Sequence, residues 1–268
     1  VSAIRLDGRE PDTLRPCCIS RSVLKHPEGS ALIVLGDTRV ICTASVEERV
    51  PAFLRGTGRG WVTAEYGMLP RATVERQPRP GSGGRTSGRI QEIQRLIGRS
   101  LRAVVDLPVL GERTLWIDCD VLQADGGTRT AAVSAACVAL VEAVARLKSE
   151  GRIAQWPVRD LVAAVSAGVV DGKLFLDLAY VEDAGAAVDL NVVMTGGGLL
   201  VEIQGTGESG PFEFGQMQEL VALVRAGISG LFARQREALT GIPGLETWLQ
   251  GGEQGVGSRP GTCDRQSR

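Results

Sequence analysis

Asp183 and Asp189 stand six residues apart in the segment LDLAYVEDAGAAVDLN, with Asp177 and Glu182 beside them. A loop of small residues, AGAAV, separates the two aspartates and can fold them together, and facing carboxylates suit a hard cation such as Mg2+. A solvated loop carrying ordinary surface acids accounts for the same residues equally well. A second stretch, QADGGTRT from Gln123 to Thr130, lies between the alternating run TLWIDCDVL and the Ala-rich run AAVSAACVALVEAVARLK. The first turn of a helix has unpaired N–H groups and a partial positive charge. A Gly-Gly-Thr-Arg entry therefore lets an oxyanion approach the backbone, with the Thr128 hydroxyl and the Arg129 guanidinium to hold it. The plainer reading is a helix capped by Thr128 or Thr130, with Arg129 in solvent. Asp118 and Asp120, two apart on one face of a strand, rank below Asp183 and Asp189 as a metal pair, because strand alternation alone explains them.

These residues need elements to position them. ALIVLGDTRVICTASV reads as a hairpin turning at Gly36 and Asp37, and LVAAVSAGVVDGKLFLDLAYV reads as another turning at Asp171 and Gly172. VDLNVVMTGGGLLVEIQ makes a third. Ile90, Ile93, Leu96, Ile97, Leu101, Val104 and Val105 form one helical stripe, and Ala131 to Leu147 is a helix so uniformly apolar that it must be buried. A further helix is expected over about 214–239, followed by a polar, Gly-rich tail, so that residues 1–240 form one domain and 241–268 a disordered extension. Hairpins mixed with helices predict an α+β fold rather than a doubly wound parallel sheet. GTGESG, Gly205 to Gly210, matches a dinucleotide-binding pattern but runs into PFEFGQ without the parallel-sheet context, and reads as a tight hairpin exit.

The net charge of −1 is unevenly spread. Pro51 to Arg102 holds ten arginines, no lysine and three acids, which gives this segment +7 and the remainder −8. Arginine outnumbers lysine 27 to 3 throughout, so the local scarcity of acids is the informative feature, and it predicts a polyanionic partner. The six cysteines show no C-x-x-C spacing and His26 is the only histidine, which argues against a zinc site, a disulfide framework and histidine-based nucleophilic catalysis. Aromatic residues make up 4% of the chain, too few for extensive base stacking. The start, VSAIRLDGRE, has no basic-then-apolar leader pattern, and the longest apolar run noted, LVAAVSAGVV, is too short to span a bilayer. The expectation is a cytoplasmic protein with reduced thiols and no membrane partner.

The stretches GWVTAEYGMLPRAT, SGRIQEIQRLIGRSLRAVVDL, IDCDVLQADGGTRTA and VDLNVVMTGGGLLVEIQGTGE, with RLDGR and HPEGS before them, closely resemble the bacterial ribonuclease PH family. The resemblance runs from about Arg5 to Leu239. It implies a ribosomal-protein-S5 domain-2-like α+β fold assembled into a homohexameric ring, a trimer of dimers. The implied activity is phosphorolysis of the 3′ end of tRNA precursors, with inorganic phosphate as nucleophile and nucleoside diphosphates released reversibly. Carried onto this chain, the family's phosphate site falls on Arg89, Thr128 and Arg129, and its acid and Mg2+ positions on Asp183 and Asp189, one of which takes part in protonating the departing oxygen. Its tRNA-binding arginines fall on Arg71, Arg76 and Arg79, inside the +7 segment. Ile90 and Gln91 depart from the Thr and Met usual after SGR, which alters the neighbourhood of Arg89.

Two other readings remain in view. A non-catalytic RNA-binding ring subunit would be free to lose Asp183, Asp189 or Arg129, and all three are present. A hydrolytic nuclease would keep the acids without needing Arg89, Thr128 and Arg129. Dependence on phosphate separates it from a phosphorolytic enzyme.

Overall fold

A computed structural model describes residues 5, 7–78, 87–246 and 248. The first predicted hairpin is β2 (Gly29–Leu35) with β3 (Thr38–Glu47), paired antiparallel with Leu35 opposite Thr38. β1 (Cys17–Arg21) adds to β2, and β5 (Thr114–Gln123) runs antiparallel to β3. β4 (Trp61–Met68) lies parallel to β5, a pairing that requires a crossover, here helix α1 (Gly88–Ala103) and the short α2 (Leu107–Leu110). These strands form one sheet in the order β1-β2-β3-β5-β4. A second sheet, ordered β7-β6-β8-β9, contains β6 (Val162–Val170), β7 (Lys173–Leu176), β8 (Val188–Thr195) and β9 (Leu200–Gly207), all antiparallel. The other two predicted hairpins are thus present, and the architecture is α+β.

Helix α3 (Thr128–Ser149) packs against β2 and β3 of the first sheet and β6 of the second. Every residue from Thr130 to Val141 is buried, so the helix has no solvent face for much of its length. By length and composition α3 would suffice to cross a membrane, which LVAAVSAGVV does not, but α3 is mostly buried inside this protein, as a core helix requires. Close approach depends on small residues. A β-carbon at Gly29 would lie 2.0 Å from the Ala139 carbonyl oxygen, so β2 can meet α3 only where it has no side chain. The amide of Gln235 then ties the outer helix inward, donating to the Ser134 and Val162 carbonyls at 2.8 and 2.9 Å.

Two expectations need correction. The helix predicted over 214–239 is divided into α5 (Phe214–Gly227) and α6 (Ser229–Leu239). At the break Gly227 sits so close to β7 that a β-carbon there would be 2.1 Å from Leu176 Cδ2, while the single joining residue, Ile228, keeps helical angles. The apolar period carries through such a one-residue bend unchanged, which is why the sequence does not reveal it. The core also reaches past residue 240: Ile242 and Leu245 are buried, and the Trp248 ring lies 5.4 Å from that of Trp156. The rest of the expected tail, including Cys263, lies outside the described residues. The five described cysteines are free thiols; Cys42 and Cys119 face each other across β3 and β5 with sulfurs 3.3 Å apart.

Candidate active site

The chain leaves β5 at Gln123 and enters α3 through a turn held from outside. Ala124 donates its N–H to Ala72 O at 2.8 Å, Asp125 N–H to Thr38 Oγ1 at 3.0 Å, and Thr38 donates to Gly126 O at 2.7 Å. Gly126 and Gly127 both have positive φ, 75° and 62°, and a β-carbon at Gly126 would meet the Leu178 carbonyl at 2.4 Å. Both glycines are therefore dictated by backbone. The residue at the helix cap is Gly127 itself, and no side chain caps α3. Thr130 donates back to Gly127 O at 2.9 Å, and Thr128 Oγ1 is 2.9 Å from the Tyr66 hydroxyl. The capping alternative therefore does not describe this helix. Its N-terminus opens on a cleft of about 590 Å³ lined by Arg89, Gly126, Gly127, Thr128, Arg129, Asp183 and Asp189, among others.

Arg129 is not in solvent. Its side chain is 18% exposed, with Nη1 3.3 Å from Glu92 Oε1 of α1 and 3.4 Å from Gln204 Oε1 of β9. Arg89 stands exposed in the first turn of α1, whose cap is Ser87, accepting the Ile90 N–H at 3.3 Å. Ile90 and Gln91 thus leave the cap formed, with Gln91 N–H donating to the Ser87 carbonyl at 3.2 Å. The starts of α1 and α3 therefore border one cleft, a convergence the sequence could not supply.

The acid cluster divides by function. Asp177 is fully buried and held by Arg15, whose Nη2 and Nε lie 2.7 and 3.0 Å from its two oxygens, while the Arg15 N–H also donates to it at 2.8 Å. Glu182 takes a forked pair from Arg5 at 2.7 and 2.5 Å; burial raises its pKa, but the Arg5 bonds prevail and hold it below the usual carboxylate value. These two acids are structural, anchoring the short helix α4 (Tyr180–Ala184) to the N-terminal segment. That leaves Asp183 on α4 and Asp189 at the start of β8 facing the cleft.

Burial raises Asp183, against the pull of Arg129 and Arg89. Burial and then the Asp183 charge push Asp189 up to about 6. Asp189 Oδ2 accepts from Asn191 Nδ2 at 3.1 Å, but its Oδ1 is buried with no hydrogen-bond partner. An orphaned carboxylate oxygen beside a second acid fits a divalent cation bound by oxygen donors. Asp118 and Asp120 do not join them: they occupy the face of β5 opposite the buried Ile117, Cys119 and Val121, outside the cleft lining.

Of the basic segment, Arg71 and Arg76 are exposed on either side of Thr73, Val74 and Glu75, which line the cleft. Arg79 lies outside the described residues. Sequence reasoning missed Tyr66, Glu92, Asn191 and Gln204. Asn191 was within reach, because strand period places it on the same face as Asp189, and Gln204 is its cross-strand partner on β9. Glu92 is the one acid in the α1 sequence, but nothing in the sequence shows that its face of the helix meets Arg129.

Comparison with known proteins decides the family. The model of the 3′ exoribonuclease family, domain 1, matches residues 13–145, and that of domain 2 matches residues 160–226. The chain is 57% identical over 239 residues to a ribonuclease PH of Moorella thermoacetica, covering 89% of this chain and 96% of that one. This chain belongs to the ribonuclease PH family. A second ribonuclease PH, from Listeria innocua, is 56% identical over 237 residues, 88% of this chain and 96% of the relative. Among solved structures, an Archaeoglobus fulgidus exosome with RNA bound to the active site superposes with TM-score 0.73 at 25% identity, covering 89% of this chain and 93% of that one. Rice Rrp46 superposes with TM-score 0.71 at 22% identity, covering 88% and 100%. The fold is thus the S5 domain-2-like α+β fold of ribonuclease PH relatives. The two family-model segments share one hydrophobic core, and the cleft takes Arg89, Thr128 and Arg129 from the first and Asp183 and Asp189 from the second.

Proposed function

We propose that this protein is a phosphorolytic 3′-to-5′ exoribonuclease trimming the 3′ ends of tRNA precursors in the cytoplasm, as a homohexamer. The observation that carries it is the uncapped N-terminus of α3 with Thr128 and Arg129, sharing a cleft with Arg89 and with two acids of raised pKa. A hydrolase would need the acids alone.

The chemistry is a charge problem. Phosphate and the terminal phosphodiester are both anionic, so the site must cancel their repulsion and hold the attacker in line. Arg89, Arg129 and the α3 N-terminus neutralise the incoming phosphate, and Glu92 and Gln204 keep the Arg129 guanidinium aimed. A phosphate oxygen forms a bond to the terminal phosphorus, the bond to the preceding ribose 3′-oxygen breaks, and that oxygen takes up a proton. The products are a nucleoside diphosphate and an RNA one residue shorter. Asp183 and Asp189 are the residues that would hold Mg2+, which when bound supplies charge neutralisation at the transferring phosphoryl group. Exposed Leu199, Leu200 and Ile203 at the edge strand β9 offer apolar surface for ring contacts.

The test is incubation with a 3′-extended tRNA and Mg2+, with and without phosphate. Shortening only with phosphate, with release of diphosphates, is expected; monophosphates without phosphate would make it a hydrolase. Arg129→Ala is expected to raise the KM for phosphate by on the order of 10-fold or more, the scale of losing a charge-assisted contact. An unchanged KM would place phosphate elsewhere. Replacing Arg71, Arg76 and Arg79 together is expected to weaken tRNA binding and reduce the slope of log K against log salt by about 2 to 3, since each lost phosphate contact removes roughly 0.7 to 0.9. Fluorescence titrations at several salt concentrations read this directly.

A further inference from the structure

Tyr66 is a hydroxyl where packing alone would be served by a phenylalanine. It lies on the inward face of β4 with Val62 and Ala64, and its ring is 4% exposed among core residues. A phenol placed there loses its water and needs a partner. That partner is Thr128 Oγ1 at 2.9 Å, in the first turn of α3.

A hydroxyl has one hydrogen to give and two lone pairs to receive, so two hydroxyls in contact must choose a direction. The Thr128 hydroxyl has a second neighbour to satisfy whenever an anion occupies the cleft, and an oxyanion can only accept. Thr128 must then spend its hydrogen on the anion, and the bond from Tyr66 must run toward Thr128. The phenol is suited to that direction, because burial pushes it up to about 12 and it stays protonated at working pH. Its buried ring on β4 also fixes the Thr128 oxygen against that strand, where rotation of the threonine side chain would otherwise turn the hydroxyl away.

We propose that Tyr66 is a positioning residue for the nucleophile: by donating to Thr128 Oγ1 it leaves the threonine hydrogen directed into the cleft, toward phosphate. The inference rests on the proposed phosphate site at Thr128. Tyr66 does not touch phosphate itself and acts through one hydrogen bond.

The experiment is a double-mutant cycle of Tyr66→Phe and Thr128→Val, each keeping side-chain shape, with KM for phosphate, KM for RNA and Tm measured in every variant. Tyr66→Phe alone is expected to raise the KM for phosphate about 3- to 10-fold, the scale of one hydrogen bond, with the KM for RNA unchanged. In the Thr128→Val background it is expected to add nothing further to the phosphate KM. If Thr128→Val by itself leaves the phosphate KM unchanged, phosphate does not bind there and the underlying site assignment fails. If Thr128→Val raises it but Tyr66→Phe does not, or if the two effects multiply in full, the positioning role is overturned. A mere staple between β4 and α3 would lower Tm and leave the phosphate KM unmoved, which also overturns it.

Discussion

Asp189→Asn is expected to lower turnover by on the order of 10³-fold or more, the scale of removing a principal electrostatic stabiliser of phosphoryl transfer, while RNA binding measured by filter retention or fluorescence is retained. The amide keeps the shape and can still meet Asn191, but it cannot present the charged, unpartnered Oδ1 to a cation. The same variant carries an opposite effect on stability in metal-free protein. Asp189 is raised in the folded state to about 6, by burial first and then by the charge of Asp183. Between the unfolded carboxylate value and about 6 the native state therefore binds more protons than the unfolded one, and stability falls as pH rises through that window. Above it the ionised aspartate costs the fold about 3 kcal/mol, the pKa difference converted to free energy. Asp189→Asn removes that cost. Denaturant titrations in EDTA at pH 4.5 and pH 7.5 are expected to show the variant exceeding the parent slightly at the lower pH and by clearly more at the higher. Equal stability at both would mean that Asp189 is not strained in the empty cleft, and loss of RNA binding would make it a structural acid.

Arg15→Met is the second large effect, and it acts on the fold. Arg15 is 4% exposed and Asp177 fully buried; they share three hydrogen bonds, and the Arg15 guanidinium also donates to the Asp125 carbonyl in the turn before α3. Removing one member of a buried ion pair leaves the other uncompensated and costs about 3 kcal/mol or more. Arg9 lies 3.5 Å from Asp177 and softens the loss without replacing the fork. The urea midpoint is expected to drop accordingly, and Arg15→Lys is expected to recover little, because a lysine cannot reach both carboxylate oxygens and the Asp125 carbonyl from one head group. A variant within 1 kcal/mol of the parent would show that the Asp177 side chain escapes to water. Asp177 also has a positive φ of 54°, so the pair holds a backbone conformation that a non-glycine residue adopts at a cost.

The elements were legible from the sequence where local chemistry fixed them. Gly36-Asp37 and Asp171-Gly172 announced their hairpins, and the nearly all-apolar run of α3 announced its burial over most of its length. The glycine pair of QADGGTRT was readable as a turn into a helix, while the choice between an anion site and a plain cap was not. Long-range pairing was not. Asp177, Glu182, Asp183 and Asp189 look alike in one dimension, and only the arrival of Arg5, Arg9 and Arg15 from the other end of the chain separates the two buried anchors from the two cleft acids. Tyr66 reads as an ordinary inward strand residue until its hydroxyl is seen against Thr128. The break at Ile228 left no trace because it cost the apolar stripe nothing.

The small residues of α3 have a mechanical meaning. Ala131, Ala132, Ala135, Ala136 and Ala139 lie between the sheet whose connections deliver the arginines and the sheet whose β7–β8 segment delivers the acids. The separation between the arginine side of the cleft and its acid side is thus gauged by a spacer of methyl groups, and cleft geometry is calibrated in the interior, by residues that do not line it.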